Sequence, residues 1–354
     1  MTQTPAPASP GQPRPGTASH AASQAAFQES PKKSPQDWPQ DSPLHLVFAA
    51  DDRYAPGLQV AAASALLWLP AERTPHVHVL DGGLRPSSWR RLERALIRCH
   101  PRLRLNRHDL SAFRLDAIRD RGGSGPCAYA RLLIPQLLTA PRALYLDVDL
   151  ILLADVAPLH DLDLQGHSFA AAVDPLLPTI GADAPFEDLP PDQRALPYFN
   201  SGVMVLDLER WRQERVGERT LAFLADHGPL STYYDQTALN HLLRGQWLEL
   251  PPHWNRLSRD FSWTPQLGCG PQPLPAVLHF YAVVKPWVSA IEPWPAHRLW
   301  HRFARHRAGL NPFSQLNRLV QRQLLHQAVR DRLQPEAAAE RRALTRLLPP
   351  RRPA

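Results

Sequence analysis

Residues Ala143–Leu153 read ALYLDVDLILL, the strongest strand signal in the 354-residue chain. Apolar residues fill both flanks, so the segment belongs in a core and only its two acids stand apart. Residues two apart in a strand point to one face, which would set Asp147 and Asp149 side by side. Two carboxylates at the end of an apolar strand cannot both be buried unpaired. A hard divalent cation resolves the repulsion, and Mg2+ or Mn2+ held by carboxylates commonly also holds a substrate's phosphates. Asp-x-Asp is a common triplet, so a pair of surface acids is the competing reading. The apolar flanks favour the cation, because they leave the acids at a sheet edge, where open α/β folds bind ligands.

Outward from this segment, strand and helix patterns alternate. Strands are expected at Leu44–Ala50, His76–Leu80, Leu103–Arg107, Phe169–Val173, Val203–Asp207 and Val277–Tyr281. Helices are expected from Pro56 to Leu69, from an N-cap at Ser87 to about His100, and over Tyr129–Leu138, broken at Pro135. The alternation predicts an α/β fold with a mainly parallel central sheet flanked by helices.

Residues 1–43 hold nine prolines and balance to zero charge, which reads as a disordered leader. Residues 301–354 carry 12 Arg against Asp331, Glu336 and Glu340, a surplus of +9. There Leu316, Leu319, Val320 and Leu324 share one helical face, with Arg318 and Arg322 towards the other, the layout of a basic amphipathic helix suited to an anionic membrane surface. The net charge of +7 therefore leaves the body, 44–300, at −2. A folded body without a basic face argues against nucleic acid as a partner. No secretory signal and no apolar run of membrane-spanning length occurs. Cys99, Cys127 and Cys269 are too scattered for a metal motif and read as free thiols of a reducing compartment. The expectation is a cytoplasmic protein, with its tail against the inner face of a membrane.

Further stretches carry chemistry. In His279–Trp287, HFYAVVKPW, Lys285 is notable because the chain holds 37 Arg and three Lys, the other two in the leader. A lone Lys in an Arg-rich chain suggests a compact point charge at a phosphate. His279, near a strand end, suits a third metal ligand through a neutral imidazole. Phe199-Asn200-Ser201-Gly202 reads as a small polar turn entering a buried strand, letting backbone approach a ligand. Asp235 opens the helical stretch DQTALN as its N-cap. Asp51-Asp52-Arg53-Tyr54 follows the first strand, where a carboxylate and a ring would meet a flat heterocycle. Each has a bland alternative, as core histidine, surface lysine, loop, cap or turn.

Taken in order, VFAADDRYAPGLQVAAASAL, YARLLIPQLL, ALYLDVDLIL, FNSGVMVLDLERW, DQTALN and HFYAVVKPW resemble glycosyltransferase family 8, over about residues 45–290. The bacterial lipopolysaccharide galactosyl- and glucosyltransferases are the nearer branch, glycogenin the farther. The resemblance implies a GT-A fold and a retaining transfer of a hexose from a UDP-sugar to a glycan or lipid-linked acceptor, with Mn2+ or Mg2+. By position, Asp147, Asp149 and His279 would hold the metal and Lys285 a phosphate oxygen. Ala49, Asp51 and Tyr54 would lie at the nucleotide, with Val148 beside it. Arg131, Asn200 and Ser201 would contact the donor. Asp174, Asp235 and Gln236 would hold sugar hydroxyls, with Gln236 near the anomeric carbon. A poor nucleophile such as an amide favours attack on the same face as the leaving group. Arg53 replaces a frequent Asn, Ala282 a frequent Gly, and the segment from Arg121 to Cys127 lacks a polar stretch found in some relatives. A non-catalytic nucleotide-sugar-binding protein on the same fold is the alternative, and it would need a metal ligand missing. A nucleotidyltransferase would need a Gly-rich phosphate loop where this chain has DDRYAP.

Overall fold

Strand β1 (Leu44–Ala50) starts a computed structural model that describes residues 42–113, 126–183, 188–227, 232–261, 263–264, 268–269, 274–281, 284–288, 295–310 and 347–349. Almost all of the expected leader lies outside these residues, as does 311–346, where the expected amphipathic helix falls. All described residues belong to one compact unit, Asp37–Ala354.

The elements run in chain order as β1, α1 (Ala55–Trp68), β2 (Pro75–Asp81), α2 (Pro86–Ile97), β3 (Arg104–Asp109), a 3-10 segment Pro126–Leu133 leading into α3 (Ile134–Leu137), and β4 (Arg142–Leu146). Then follow β5 (Leu150–Leu152), α4 (Ala157–His160), β6 (Phe169–Val173), α5 (Pro191–Arg194), β7 (Phe199–Asp207), α6 (Leu208–Gln213), α7 (Val216–His227) and α8 (Asp235–Leu243). The last are β8 (Leu248–Leu250), β9 (Arg256–Leu257), a β10–β11 hairpin (Trp263–Thr264 with Gly268–Cys269), β12 (Val277–His279) and α9 (Pro295–His306). Seven strands form one sheet in the order β3-β2-β1-β4-β7-β6-β8, and a smaller sheet has the order β5-β12-β9. In the large sheet only β7 runs against its neighbours. The mainly parallel α/β sheet expected from the sequence is present.

A parallel sheet needs both faces covered, and alternation along the strands supplies two apolar layers. Leu46, Phe48, Val77, Val79, Leu144 and Leu146 face α1 and α9. Val47, Ala49, Leu80, Tyr145, Phe169 and Met204 face the other way, onto Leu132, Leu208, Trp211 and Leu239. Helix α1 is buried from Ala55 to Leu67, as an all-round apolar helix must be. Helix α9 crosses position 300 and packs Leu299, Trp300 and Phe303 into the same layer.

The structure departs from the sequence reading in local detail. The segment Ala143–Leu153 is two strands, not one: β4 ends at Leu146 in the large sheet, and β5 begins at Leu150 in the small one. Asp147-Val148-Asp149 is the link between them. Two acids cannot enter either core, so the chain changes sheets there. Its backbone is pinned on both sides, by Asp147 N–H donating to Gly202 O at 2.8 Å and Phe280 N–H donating to Asp149 O at 2.9 Å. Phe199-Asn200-Ser201-Gly202 is not a turn but the start of β7. Register there jumps from Ala171–Met204 to Ala172–Asn200, a bulge that re-aims Ser201 and Gly202. Asp235 is the first helical residue rather than the cap, and Tyr234, at φ 55°, holds the cap position. Helix α2 starts from Arg85 and Pro86, not from a Ser87 cap. Residues around Arg131 form 3-10 turns rather than α-helix.

Candidate active site

Strands β1 and β4 end on the same edge, where α/β sheets present their ligand sites. There a cleft of about 140 Å³ is lined by Ala49, Tyr54, Arg131, Asp147, Val148, Asp149 and Lys285, all named from sequence, with Ala50, Cys127, Ala128 and Tyr145. The inter-sheet link delivers Asp147 and Asp149, and β12 of the small sheet delivers His279. Ligand atoms of these three lie within 4.8 Å of one another. His279 Nε2 is 3.1 Å from Asp149 Oδ1 and 3.7 Å from Asp147 Oδ2.

A relay of buried amides fixes which imidazole nitrogen faces the acids. Asn200 Nδ2 donates to Asp174 Oδ2 at 2.9 Å. Asn200 Oδ1 accepts from Asn255 Nδ2 at 2.8 Å and from the Gly202 N–H at 3.0 Å. Asn255 Oδ1 is then left to accept from His279 Nδ1 at 2.9 Å. With its proton on Nδ1, a neutral His279 presents the Nε2 lone pair to two carboxylate oxygens. A lone pair facing two acids is repulsive unless a positive charge lies between them. Two carboxylates and one oriented imidazole are a donor set for a divalent cation, with Asn255 as the orienting partner. The space is kept by Gly202: a Cβ there would lie 2.3 Å from His279 Cε1 and 2.8 Å from Asp147 Oδ2. The residues therefore fit the expected metal.

Positive charge flanks the acids. Lys285 Nζ donates to Asp149 Oδ2 at 2.6 Å and to Phe280 O at 2.9 Å. Burial would raise the Asp149 carboxyl, but the adjacent Lys285 ammonium outweighs it and holds it below the usual carboxylate range. Arg131 is buried and donates to Asp147 Oδ1 at 3.0 Å and Ser201 Oγ at 2.8 Å, and also to Ser201 O. It ion-pairs with Asp235 Oδ2 at 2.8 Å, and its guanidinium stacks 4.4 Å over the Tyr145 ring. Burial works against its charge, yet Asp147 and Asp235 keep it firmly protonated. Burial pushes Asp235 up to about 7, with Arg131 opposing and Asp147 adding to the rise.

A second group adjoins the first. Gln236 Nε2 donates to Asp174 Oδ2 at 3.2 Å, and its Oε1 accepts from the Ser201 N–H at 2.9 Å. Tyr281 donates to Asp174 Oδ1 at 3.3 Å. Asp174, Asn200, Ser201, Asp235 and Gln236 are thus brought together behind the cleft. Asp51 is not among its lining residues: its carboxylate caps its own turn, accepting from Arg53 N–H at 2.8 Å and pairing with the Arg53 guanidinium at 2.8 Å. Tyr54 instead meets Trp287 edge-on at 5.7 Å.

Sequence reasoning missed Tyr145, Asn255, Cys127 and Tyr281. Tyr145 was accessible to it, since it stands two residues before Asp147, and its hydroxyl donates to Asp147 Oδ1 at 2.8 Å. Asn255 gave no signal, because it follows a short 3-10 turn, Pro252–Trp254, and acts only through tertiary contacts.

Known proteins resemble this chain in sequence and in fold. General stress protein A of Bacillus subtilis is 30% identical over 259 residues, 70% of this chain and 88% of that protein. Lipopolysaccharide 1,2-glucosyltransferase of Escherichia coli is 36% identical over 131 residues, 36% of this chain and 38% of its own length. Among solved structures, galactosyltransferase LgtC in complex with donor and acceptor sugar analogs superposes with a TM-score of 0.62 at 24% identity, covering 74% of this chain and 95% of that one. That likeness is one of fold, and the fold is GT-A. Residues 45–290 match the family described as Glycosyl transferase family 8, more than half of the chain, and the chain belongs to that family.

Proposed function

We propose that this chain transfers a hexose, glucose or galactose, from a UDP-sugar to a glycan or lipid-linked sugar with retention of configuration, using Mn2+ or Mg2+. The observation that carries this reading is the convergence of Asp147, Asp149 and an His279 whose Nε2 is left as acceptor, beside Lys285. Breaking the sugar–phosphate bond leaves negative charge on the nucleotide and positive character on the sugar. A divalent cation held by Asp147, Asp149 and His279 would supply charge for the departing diphosphate. Lys285 and Arg131 add fixed positive charge on two sides of the same cleft, where exclusion of water strengthens it. Asp174, Asn200 and Gln236, hydrogen-bonded to one another behind the cleft, would hold sugar hydroxyls by exchanging these bonds for bonds to the donor. Both ends of the Gln236 amide are already engaged and Asp235 is paired with Arg131. Neither is a free nucleophile, which supports attack by the acceptor on the face the diphosphate leaves.

Thermal shift and donor hydrolysis with UDP-glucose, UDP-galactose, UDP-N-acetylglucosamine and UDP, each with and without Mn2+, test the reading. UDP is expected to raise the melting temperature only when Mn2+ is present, and turnover to stop in excess chelator. Undiminished turnover in chelator would sink it. No described helix is long and apolar enough to cross a membrane. A peripheral contact through the Arg-rich segment is part of the proposal. Replacing Arg318, Arg322 and Arg330 by serine should lower co-sedimentation with anionic vesicles, and equal binding ends that part.

A further inference from the structure

Away from the cleft, at the other end of the large sheet, lies a second cluster of metal-ligating side chains. His45 is the second residue of β1, five residues and about 16 Å of strand before Ala50 at the cleft. It pairs in register with His76 of β2, and His78 shares the His76 face. His108 of β3 extends the row. Elsewhere on this face the same strands carry Val47, Ala49 and Leu80, so the imidazoles interrupt an apolar surface.

Their ring nitrogens are near enough to converge on one ion. A ring nitrogen of each of His45, His76 and His78 lies within 4.8 Å of the others. His45 Nδ1 and His78 Nε2 are 3.0 Å apart. Two Zn–N bonds of about 2.0–2.1 Å at a tetrahedral angle set their nitrogens about 3.3 Å apart, so this pair needs to open by only about 0.3 Å. With His78 Nε2 given to an ion, its Nδ1–H donates to His108 Nε2, already 3.0 Å away, the outer-shell bond that orients a ligating histidine. Strand β1 is anchored beside it by the His45 N–H donating to His160 Nε2 at 3.4 Å, while His160 Nδ1 meets Asp161 Oδ1 at 2.8 Å. Burial, reinforced by the neighbouring histidines, keeps the His45 and His78 rings neutral, the form that ligates.

We propose that His45, His76 and His78 bind a Zn2+-class transition-metal ion that ties β1 to β2, separate from the sugar-transfer site. Imidazole sets suit Zn2+, Ni2+ and Cu2+, whereas Mg2+ and Mn2+ prefer oxygen, so the two sites sort cations by ligand chemistry. The proposal stands independently of the transferase reading.

The test is equilibrium dialysis of the untagged full-length chain against Zn2+ in excess Mg2+, which keeps the oxygen-rich site filled. One tightly bound Zn2+ per chain is expected, retained in the Asp147→Asn/Asp149→Asn variant. In His76→Gln, a change at a half-buried position, Zn2+ affinity is expected to fall at least about 100-fold, the upper end of what losing even an outer-shell partner costs. Zn2+ should raise the melting temperature of the wild type and not of His76→Gln, because an ion bound only by the folded state stabilises it. Electron paramagnetic resonance of the Cu2+-loaded wild type gives a readout needing no variant, with nitrogen couplings from three imidazoles expected. Absence of bound Zn2+, undiminished binding by His76→Gln, or loss of the ion only in the double Asp variant overturns the proposal.

Discussion

Asp149→Asn is expected to slow sugar transfer by about 100- to 1,000-fold, the cost of removing one preorganised charged group from a water-poor site, while the chain stays folded. Asp149 faces two partners, His279 Nε2 at 3.1 Å and Lys285 Nζ at 2.6 Å. An amide of the same shape can satisfy both: its nitrogen donates to the imidazole lone pair and its oxygen accepts from the lysine. What disappears is the negative charge, and with it a hard anionic ligand for Mn2+ or Mg2+. Steady-state turnover of the UDP-sugar, set beside circular dichroism and a Mn2+ titration, separates the two effects. Turnover near wild type, or weak turnover with unchanged Mn2+ affinity, would show that Asp149 is not a ligand. The variant also tests Lys285, which keeps Phe280 O as a partner at 2.9 Å, so a misfolded product would point to the ion pair as a structural element instead.

Arg131→Met is expected to lower the unfolding free energy by about 3–5 kcal/mol, the range for removing one partner of a buried ion pair. The guanidinium is buried between Asp147 and Asp235 and stacks on Tyr145. Methionine keeps much of the apolar stem but leaves two acids facing each other. Urea denaturation should show a lower midpoint with an unchanged slope. Adding Asp235→Asn should restore at least about 1 kcal/mol, because the neutral amide removes one of the two stranded charges and their mutual repulsion, and the two sites are in contact. The sign of the pH dependence follows from Asp235. Burial already pushes its pKa up to about 7, above the value of the unfolded chain, and without Arg131 it rises further. The folded variant then binds a proton at a pH where wild-type Asp235 is still ionised, so its deficit shrinks as pH falls towards about 7 and levels off below it, where wild-type Asp235 takes up the same proton. A midpoint equal to wild type would show that the guanidinium is not what neutralises these acids.

Much of this molecule is legible along the chain. The apolar runs around Leu46, Leu144 and Phe169 gave strands where the sheet has them, because a buried parallel sheet demands unbroken apolar segments. Of the eleven residues lining the cleft, from Ala49 to Lys285, seven are named through the order of motifs along the chain. What failed was local: a single strand over Ala143–Leu153, a turn at Asn200–Gly202, a cap at Asp235. Each error came from judging a polar residue by its neighbours in sequence, where exposure is the default. Asn200 and Asp235 are instead buried, because Asp174, Asn255 and Arg131 reach them from elsewhere in the chain.

The division has one physical origin. Apolar periodicity is a property of consecutive residues, so the layers of the sheet, and the stranding of two acids between apolar flanks, are written in the chain. The orientation of His279 is not. It rests on Asn255, which rests on Asn200, which rests on Asp174, residues up to 105 positions apart joined by hydrogen bonds of 2.8–2.9 Å. Such a relay exists only once two sheets have packed, because only burial makes an unmade hydrogen bond costly enough to fix each amide in one direction.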